Sequence, residues 1–332
     1  MTKNMTIKFK KHFVTGGAGF IGSHLVDRLL KEGKIVTVYD NLSLAPIDNI
    51  KHNLKKKNFK FIKGDLLDFK KLKRSMKGHE VIWHLAANTD IPGGNKITDL
   101  DLKNCTIGTW NVLEAMRELK IDQILFTSSA CVYGDAGKKT ILTENYGPLL
   151  PINLYGAGKL AGEGLMSAYS HLFGIKAWIF RFANVVGDRM DHGVIFDFIQ
   201  KLRKNPRELK ILGDGEQEKP FFLVEDCIEG MFYAFKHAKF ENPELQCDVF
   251  NLGCETHTKI KKVAQIVIEE MGLKNVKLKF TGGERGWKGD APVVRFSIEK
   301  MKKLGWKPRY SSDEAVRIAA RRILRQVGYV KK

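Results

Sequence analysis

Three side chains near the middle of the sequence have the types that a proton and hydride transfer needs. Ser129 closes an apolar run, and Tyr155 lies four positions before Lys159. On a helix, positions i and i+4 share a face, so the ammonium of the lysine can lie beside the phenol and lower the cost of its ionised form. Such a phenol can exchange a proton with an alcohol near neutral pH. The spacing alone is weak evidence, and a strand-end serine that only satisfies backbone groups is the alternative for Ser129.

A glycine-rich turn near the amino terminus is the second feature with a chemical use. The stretch VTGGAGFIGSHL places Gly17, Gly19 and Gly22 in the spacing G-x-G-x-x-G, and Gly16 begins an overlapping pattern. Without side chains, the backbone can turn sharply and approach a pyrophosphate, which then lies at the positive end of a helix dipole. Tight turns and close helix packing also use glycine. The strand before this turn and the helix after it nevertheless favour a dinucleotide site.

An acidic residue closes the second predicted strand. Asp40 follows the glycine turn at about the 20-residue distance typical of dinucleotide-binding domains. A carboxylate there can accept hydrogen bonds from the hydroxyls of the adenosine ribose, whereas it would repel a 2′-phosphate. The sequence therefore favours NAD over NADP. A capping role for Asp40 in the YDNLS turn is the alternative.

Strands and helices that must position these residues alternate through the first half of the chain. The predicted strands are His12–Thr15, Ile35–Asp40, Phe59–Ile62, Val81–Leu85, Gln123–Ser128 and Ala177–Phe182. The predicted helices lie near Phe20–Lys31, Asp68–Met76, Thr98–Leu119 and Leu154–Phe173. This alternation predicts an α/β fold, a Rossmann-like doubly wound parallel sheet. Its ligands should bind at the carboxyl ends of the strands, where the motifs above should meet.

The second half of the chain has a different pattern. After Asn184, short elements alternate with glycine and proline, as in GDGEQEKP and GGERGWKGDAP, before a last helix from Asp313 to Gln326. This predicts a smaller α/β substrate-binding lid. We expect an NAD-binding domain at residues 1–183 with returning segments in 223–253, and a lid formed by residues 184–222 and 254–332.

Composition narrows the class of protein. With 332 residues, of which 43% are hydrophobic, the chain can build a full core. It has neither a signal-like apolar segment nor a run of about 20 apolar residues, so we expect no membrane partner. Its five scattered cysteines contain no C-x-x-C pair, which indicates a reducing cytoplasm and no metal site. The net charge of +19 is spread along the chain, so we expect mild steering of an anionic substrate and no nucleic-acid partner.

Motifs over nearly the whole chain resemble those of the extended short-chain dehydrogenases/reductases. Among these enzymes, the chain is most similar to the nucleotide-sugar epimerases typified by UDP-glucose 4-epimerase. The resemblance is carried by TGGAGFIGSHL, by Asp40 with Asn41, and by KGDLLD, HLAA, Asn104 with GTWNVLEA, SSACVYG, YGAGK and RFANVVG. It implies NAD as the cofactor, a nucleotide sugar as the substrate, and a homodimer formed through the helices near Thr98–Leu119 and Leu154–Phe173.

Carried over by position, the resemblance implies a catalytic set and an NAD site. Tyr155 would be the acid/base, Lys159 would hold the nicotinamide ribose and tune Tyr155, and Ser129 would hydrogen-bond the reacting hydroxyl. Asp65 would lie near the adenine. The NAD-binding residues that the resemblance implies are Gly16, Gly19, Phe20, Ile21, Gly22, Asp40, Asn41, Asp65, Leu66, Leu85, Ala86, Ala87, Asn104, Tyr155 and Lys159.

The substrate contacts implied by the resemblance lie mostly in the lid, where the chain departs from the pattern. They are Ser129, Tyr155, Asn184, Val194, Lys219, Arg285, Asp290 and Val294. The usual G-D-G-x-Q-x-R-D-F reads GDGEQEKPF here, and Lys219 can meet a phosphate only as a point charge, without the bidentate geometry of arginine. A turn residue is the alternative for Asn184, and simple packing is the alternative for Val294. Arg181 is a further candidate anion contact unless it forms a structural salt bridge.

The residues after Ser129 separate the possible reactions. Related 4,6-dehydratases carry an Asp-Glu pair there, where this chain has Ala130 and Cys131. We therefore expect neither dehydration nor decarboxylation, but an isomerase: NAD-dependent inversion of C4 in a UDP-hexose or UDP-N-acetylhexosamine through a 4-keto intermediate. One alternative is a nucleotide-sugar dehydrogenase or reductase that releases its ketosugar. The other is a non-catalytic Rossmann protein that binds NAD or RNA.

Overall fold

The computed structural model describes residues 9–240, 242 and 244–329, which form two compact units with separate hydrophobic cores. The first unit contains the described residues of Met1–Val132, Asn153–Arg181 and Ile228–Phe250. The second contains those of Tyr133–Ile152, Phe182–Cys227 and Asn251–Lys332. The glycine turn and the tyrosine–lysine pair therefore belong to the first unit, and the expected lid residues belong to the second.

The strands of the described residues are numbered in chain order. They are β1 (Lys11–Thr15), β2 (Ile35–Asp40), β3 (Phe59–Lys63), β4 (Val81–His84), β5 (Gln123–Ser129), β6 (Ile141–Leu142), β7 (Lys176–Phe182), β8 (Asn184–Val186), β9 (Glu208–Ile211), β10 (Glu218–Lys219), β11 (Phe221–Leu223), β12 (Cys247–Leu252), β13 (Thr258–Lys259), β14 (Lys277–Phe280) and β15 (Arg295–Phe296).

The α-helices are numbered in the same way. They are α1 (Phe20–Lys31), α2 (Phe69–Met76), α3 (Ile91–Gly94), α4 (Asp99–Asp101), α5 (Gly108–Leu119), α6 (Leu154–Phe173), α7 (Val194–Lys204), α8 (Val224–His237), α9 (Ile260–Met271), α10 (Glu299–Leu304) and α11 (Ser312–Gln326). A π-helical turn, Leu102–Ile107, joins α4 to α5. Among the described residues, no helix has both the length and the apolar character needed to cross a membrane.

The central sheet has seven strands in the order β12-β7-β5-β4-β1-β2-β3, and the pairs that join β3, β2, β1, β4 and β5 are parallel. Every residue of β4 is buried, as is nearly all of β5, because helices cover both faces of such a sheet. The predicted Rossmann-like fold is confirmed. The strand order reverses beside β1, and the carboxyl ends of β1, β2, β4 and β5 carry the predicted motifs.

The segment 133–152 corrects the expected domain boundary, because it belongs to the second unit and not to the first. Its strand β6 pairs with β15. Buried Asn251 fixes the same segment: it accepts a hydrogen bond from the Tyr133 hydroxyl at 2.7 Å and donates to the Leu142 carbonyl at 3.0 Å. These contacts join parts of the chain that are far apart in sequence, and local patterns do not report them.

The second unit also contains helices that the sequence did not predict. Both α7 and α9 pack on its core, yet neither begins with a side-chain cap: their N-cap residues are Gly193 and Lys259. By contrast, α11 begins with a capping box in which Ser311 and Glu314 each bond the other's backbone, and the sequence predicted that helix.

Candidate active site

Helix α6 brings Tyr155 and Lys159 together. The helix begins after Asn153, whose side chain accepts a hydrogen bond from the Gly156 N–H at 2.7 Å and so caps the first turn. One turn later, the Nζ atom of Lys159 lies 5.7 Å from the centre of the Tyr155 ring. It donates a hydrogen bond of 2.6 Å to the backbone carbonyl of Thr127, in β5. The strand therefore fixes the ammonium beside the phenol.

Ser129 completes this group at the carboxyl end of β5. Its hydroxyl hydrogen-bonds with Tyr155 and also accepts a hydrogen bond of 3.1 Å from the Cys131 N–H. Ser129 therefore bonds a backbone group, as the alternative interpretation expected, and it also contacts the phenol, as the catalytic interpretation requires. The structure gathers Ser129, Tyr155 and Lys159 in one place, as the sequence predicted.

Burial governs the charges of the pair. Lys159 is only 1% exposed, and burial lowers the pKa of its ammonium. Burial also raises the pKa of Tyr155 well above its usual value, against the opposing effect of the Ser129 hydrogen bond. The expected downward tuning of the phenol is therefore wrong for the chain by itself. A positive charge bound beside the phenol would act in the opposite direction to burial.

The glycine turn has the geometry of an anion site. Gly16 has a φ of +68°, and a Cβ atom there would lie 2.6 Å from the backbone nitrogen of Ala86. A Cβ atom on Gly22 would overlap the Gly16 carbonyl. Gly19 is the N-cap of α1 and provides no side-chain cap, so N–H groups of the first turn remain available. This open helix terminus fits the pyrophosphate of a dinucleotide.

Asp40 supports the glycine turn. Its carboxylate accepts hydrogen bonds from the backbone N–H groups of Ala18 at 3.0 Å and Leu42 at 2.8 Å. Burial raises the pKa of Asp40, and these hydrogen bonds oppose the shift. Asp40 therefore does bond backbone groups of neighbouring turns, as the alternative interpretation of this residue expected. It leaves lone pairs free for a ribose, since each carboxylate oxygen can accept two hydrogen bonds.

The other residues expected to bind NAD border the same crevice. Asn41 donates a hydrogen bond of 3.0 Å to the Asp65 carboxylate, which links the ends of β2 and β3. The Leu66 carbonyl accepts a hydrogen bond of 2.8 Å from Asn111 of α5. The partly buried residues of this group are Phe20 and Ile21 at the start of α1 and Leu85, Ala86 and Ala87 after β4.

The π-helical turn changes which residue faces α6. Asn104 donates its amide to the Leu100 carbonyl at 2.8 Å, within its own helix. The next residue, Cys105, is buried against α6, where a Cβ atom on Gly158 would lie 2.8 Å from the Cys105 Cβ. A helical period of 3.6 residues does not reveal such a widened turn, and the sequence therefore missed Cys105. NAD binding by Asn104 stays a prediction.

His84 is a buried residue whose role the sequence also missed. Its ring nitrogens lie 2.7 Å from the Thr15 hydroxyl and 2.9 Å from the Thr109 hydroxyl, and the side chain is fully buried. Burial, with a smaller effect of the Lys159 charge, lowers the pKa of His84 to about 3. The ring is therefore neutral and ties β1 and β4 to α5.

Arg181 is a structural residue and not an anion contact. Its guanidinium, 4% exposed, forms bidentate hydrogen bonds of 2.9 and 2.6 Å with Glu163 of α6. Ser128 donates a further hydrogen bond of 2.6 Å to the same carboxylate. Both charges are thus neutralised within the first unit.

In the second unit, three of the expected substrate residues form one cluster. Lys219 pairs with the Asp290 carboxylate at 2.7 Å and also donates to the Ala291 carbonyl. Arg285 donates to the Asp290 carbonyl at 2.7 Å and forms an ion pair with Asp135. The cluster therefore presents two cations, each already next to a carboxylate.

The remaining lid residues are more dispersed. Asn184 is exposed at the start of β8, and its backbone N–H donates to the Pro220 carbonyl at 3.0 Å. Val194 begins α7 and packs on the core of the second unit. Val294 is partly buried, and its N–H donates to the Glu218 carbonyl at 3.2 Å. Substrate binding by these residues stays a prediction.

Residues 12–253 match the NAD dependent epimerase/dehydratase family. The chain belongs to this family. A putative UDP-glucose 4-epimerase of Methanocaldococcus jannaschii is 33% identical over 313 residues, or 92% of this chain and 95% of the relative. The crystal structure of a UDP-galactose 4-epimerase is 34% identical and superposes with a TM-score of 0.84 over 95% of this chain and 99% of that one.

A third similar protein acts on an N-acetylated sugar. It is the UDP-N-acetylglucosamine 4-epimerase of Methanobrevibacter ruminantium M1, solved in complex with UDP-N-acetylmuramic acid. It is 27% identical, with a TM-score of 0.84 over 96% of this chain and the whole of that one. Family membership confirms the resemblance and NAD as the cofactor, and the open terminus of α1 fits that cofactor.

Proposed function

We propose that this chain is an NAD-dependent epimerase that inverts C4 of a UDP-linked hexose or N-acetylhexosamine through a 4-keto intermediate. The observation that supports it most is the grouping of Ser129, Tyr155 and Lys159 at the end of β5, followed by Ala130 and Cys131. This group can move one proton at a sugar hydroxyl. It does not include the carboxylate pair that elimination of water would need directly after Ser129.

Each of the three side chains has a distinct part in the proposed reaction. NAD, when bound, supplies the reversible acceptance of a hydride. Ser129 orients the C4 hydroxyl, and Tyr155 takes its proton and later returns it. Lys159 stabilises the phenolate that accepts this proton and that forms again when the proton is returned. Inversion requires the ketosugar to present its opposite face before C4 is reduced again, because the face that receives the hydride sets the configuration.

The choice of a UDP-sugar rests on the similar proteins and on the cations of the second unit. Two of the similar proteins are named as 4-epimerases of UDP-linked sugars, and the third is named as a putative UDP-glucose 4-epimerase. Lys219 and Arg285 could bind a diphosphate, provided that it displaces part of their contacts with Asp290 and Asp135. Asn184, Val194 and Val294 are proposed as further substrate contacts.

The test is to incubate the purified protein with UDP-glucose, UDP-N-acetylglucosamine and UDP-glucuronate and to follow the sugars by NMR and NADH by absorbance. We expect a new C4 epimer of at least one sugar, no net NADH, and conversion at least about 100-fold slower with Tyr155→Phe. NADH formed in proportion to a ketosugar would indicate the dehydrogenase alternative, and a pentose formed from UDP-glucuronate would indicate a decarboxylase. Conversion of none of the sugars would contradict the proposal.

We also propose a homodimer formed through α5 and α6. Support comes from exposed apolar side chains along these helices and the π turn: Leu102, Ile107, Trp110, Leu172 and Phe173. A Trp110→Lys variant should elute as a monomer when the native chain elutes as a dimer. The cytoplasm is the proposed compartment, because none of the five cysteines, all of them described residues, forms a disulfide.

A further inference from the structure

A buried carboxylate lies behind the tyrosine–lysine pair and has no part in the proposed reaction. Asp101, the last residue of α4, is 1% exposed. Its Oδ1 atom accepts a hydrogen bond of 3.0 Å from the Asn88 amide, and the Cys105 thiol lies 3.9 Å away. Among the described residues, its buried Oδ2 atom has no hydrogen-bond partner. A carboxylate in this environment is costly unless a charge compensates it.

Two glycines allow Asp101 to occupy this place. A Cβ atom on Gly94 would overlap the Oδ2 atom of Asp101. A Cβ atom on Gly158 would lie 3.1 Å from the Asp101 carbonyl oxygen. Gly158 directly precedes Lys159, so the turn that carries the carboxylate packs on the same segment of α6 that carries the ammonium.

The ammonium of Lys159, like the carboxylate of Asp101, has no hydrogen bond to an oppositely charged group among the described residues. Its ammonium is buried, and its one hydrogen bond to a described residue goes to the uncharged Thr127 carbonyl. A buried cation needs a nearby anion, and removing one member of such a pair leaves the other uncompensated. Glu163 lies one turn further along α6, but Arg181 and Ser128 already occupy its oxygens.

The two charges act on each other. Burial raises the pKa of Asp101, and the Lys159 charge opposes that shift. Burial lowers the pKa of Lys159, and Asp101 is among the groups that oppose it. Each group therefore favours the charged form of the other.

We propose that Asp101 is a positioning residue, whose buried carboxylate is the counter-charge that keeps Lys159 protonated beside Tyr155. Asn88 holds the carboxylate in place, and the two glycines admit it to the interior. Without this counter-charge, the nearby carboxylate of Glu163, which already pairs with Arg181, would compensate the ammonium only weakly, and Lys159 would lose much of its ability to stabilise a phenolate. The consequence for turnover rests on the proposed function, whereas the charge pairing itself does not.

The decisive experiment is a double-mutant cycle on stability, which needs no substrate. Thermal unfolding is measured for the native chain, Asp101→Asn, Lys159→Met and the double variant. Asp101→Asn keeps the shape and removes the charge, so it should destabilise the native chain. In the Lys159→Met background the same change removes an uncompensated charge and should be neutral or stabilising. We expect a coupling of at least about tenfold in the unfolding equilibrium constant.

The matched control is Asp99→Asn, which removes an equal charge from the same short helix. Asp99 is half exposed and pairs with exposed Lys103, so its change should show no coupling to Lys159→Met. Equal effects of Asp101→Asn in both backgrounds would overturn the proposal. So would failure of Asp101→Asn to fold in both backgrounds, because the carboxylate would then act independently of Lys159. Folding that returns only with Lys159→Met would support the proposal.

Turnover provides a second readout. With a sugar that the native enzyme epimerises, Asp101→Asn should lower kcat at least about tenfold and change KM by less than about twofold, because Asp101 does not contact the substrate. Asp99→Asn should keep the native kcat. A native kcat in Asp101→Asn would overturn the positioning role. If the native chain epimerises no sugar, the proposed function fails, and the stability cycle still decides the charge pairing.

Discussion

The carboxylate of Asp40 accepts a hydrogen bond of 3.0 Å from the backbone N–H of Ala18, which ties the end of β2 to the glycine turn after β1. The same side chain is the expected acceptor for the ribose hydroxyls of NAD. Its two roles are compatible, since both use the side-chain oxygens as hydrogen-bond acceptors and each oxygen can accept two hydrogen bonds. They also mean that a change at Asp40 will affect the shape of the turn as well as the choice of cofactor.

The first prediction concerns that choice. The native chain, freed of cofactor, should bind NAD more tightly than NADP by at least about tenfold, because a 2′-phosphate would be held against the Asp40 carboxylate. Asp40→Asn removes the charge and keeps an oxygen that can accept a hydrogen bond from Ala18. The variant should therefore have a smaller difference between its affinities for NAD and NADP. Titration calorimetry with both cofactors measures it. Equal affinities in the native chain would show that Asp40 acts only in the turn.

The second prediction concerns Tyr155. Tyr155→Phe removes the phenolic proton and keeps the ring, so the epimerisation rate should fall by at least about 100-fold. Bound NAD and the midpoint of thermal unfolding should stay close to native, since Lys159 keeps its hydrogen bond to Thr127. Single-turnover kinetics and the ratio of cofactor to protein measure both. Tyr169→Phe, a tyrosine near the far end of α6, is the control, and near-native turnover of Tyr155→Phe would rule out the assigned acid/base.

The third prediction concerns pH and the buried histidines. The folded-state pKa of His84 is about 3 and that of His12 about 4, both below the ordinary value of 6.5, so the fold requires their neutral forms. Between pH 6.5 and these values the unfolded chain binds more protons than the folded chain. Stability is therefore full above pH 6.5, and each of the two histidines should cost about 1.4 kcal/mol for every pH unit below it.

Thermal unfolding between pH 7.5 and 4.5 tests this dependence. His84→Gln should lower stability at neutral pH, because it loses contacts with Thr15 and Thr109, and should also flatten the acid dependence. Exposed His171→Gln is the control. An acid slope that is unchanged in His84→Gln would contradict the assignment.

The first unit could be predicted from the sequence because its signals are local. Its strands are buried on both faces and appear as apolar runs, and α6 has the predicted bounds because Asn153 caps its start and Gly174, with a φ of +68°, ends it. Ser129, Tyr155 and Lys159 lie on such elements. Their grouping therefore followed from where β5 ends and α6 begins.

What the sequence did not reveal depends on contacts between distant segments. The pairing of β6 with β15 decides to which unit 133–152 belongs, and neither strand is longer than two residues. The π-helical turn moves Cys105 toward α6. Buried Asp101 has the same sequence appearance as exposed Asp99, because only the packing on Gly94 and Gly158 distinguishes the two.

The last prediction concerns substrate breadth and Val294. The resemblance to the nucleotide-sugar 4-epimerases implies that Val294 lies beside the C2 substituent of the sugar, where a small residue leaves volume for an acetamido group. The side chain is partly buried, close to the cluster of Lys219 and Asp290 in the second unit. The native enzyme should therefore epimerise both UDP-glucose and UDP-N-acetylglucosamine. Val294→Tyr should lose the second activity selectively, because a bulky ring would overlap the acetamido group.

The matched control is Val293→Tyr, the same substitution one residue earlier, since successive side chains of an extended chain point to opposite sides. It should affect both substrates alike or neither. The measurement is kcat/KM for both sugars in the native enzyme and the two variants, with thermal unfolding to confirm that each variant is folded. A parallel loss on both sugars in Val294→Tyr would mean that Val294 only packs the second unit. No native activity on the acetamido sugar would exclude the specificity role as well, because the small side chain of Val294 would then not be sufficient to admit the acetamido group.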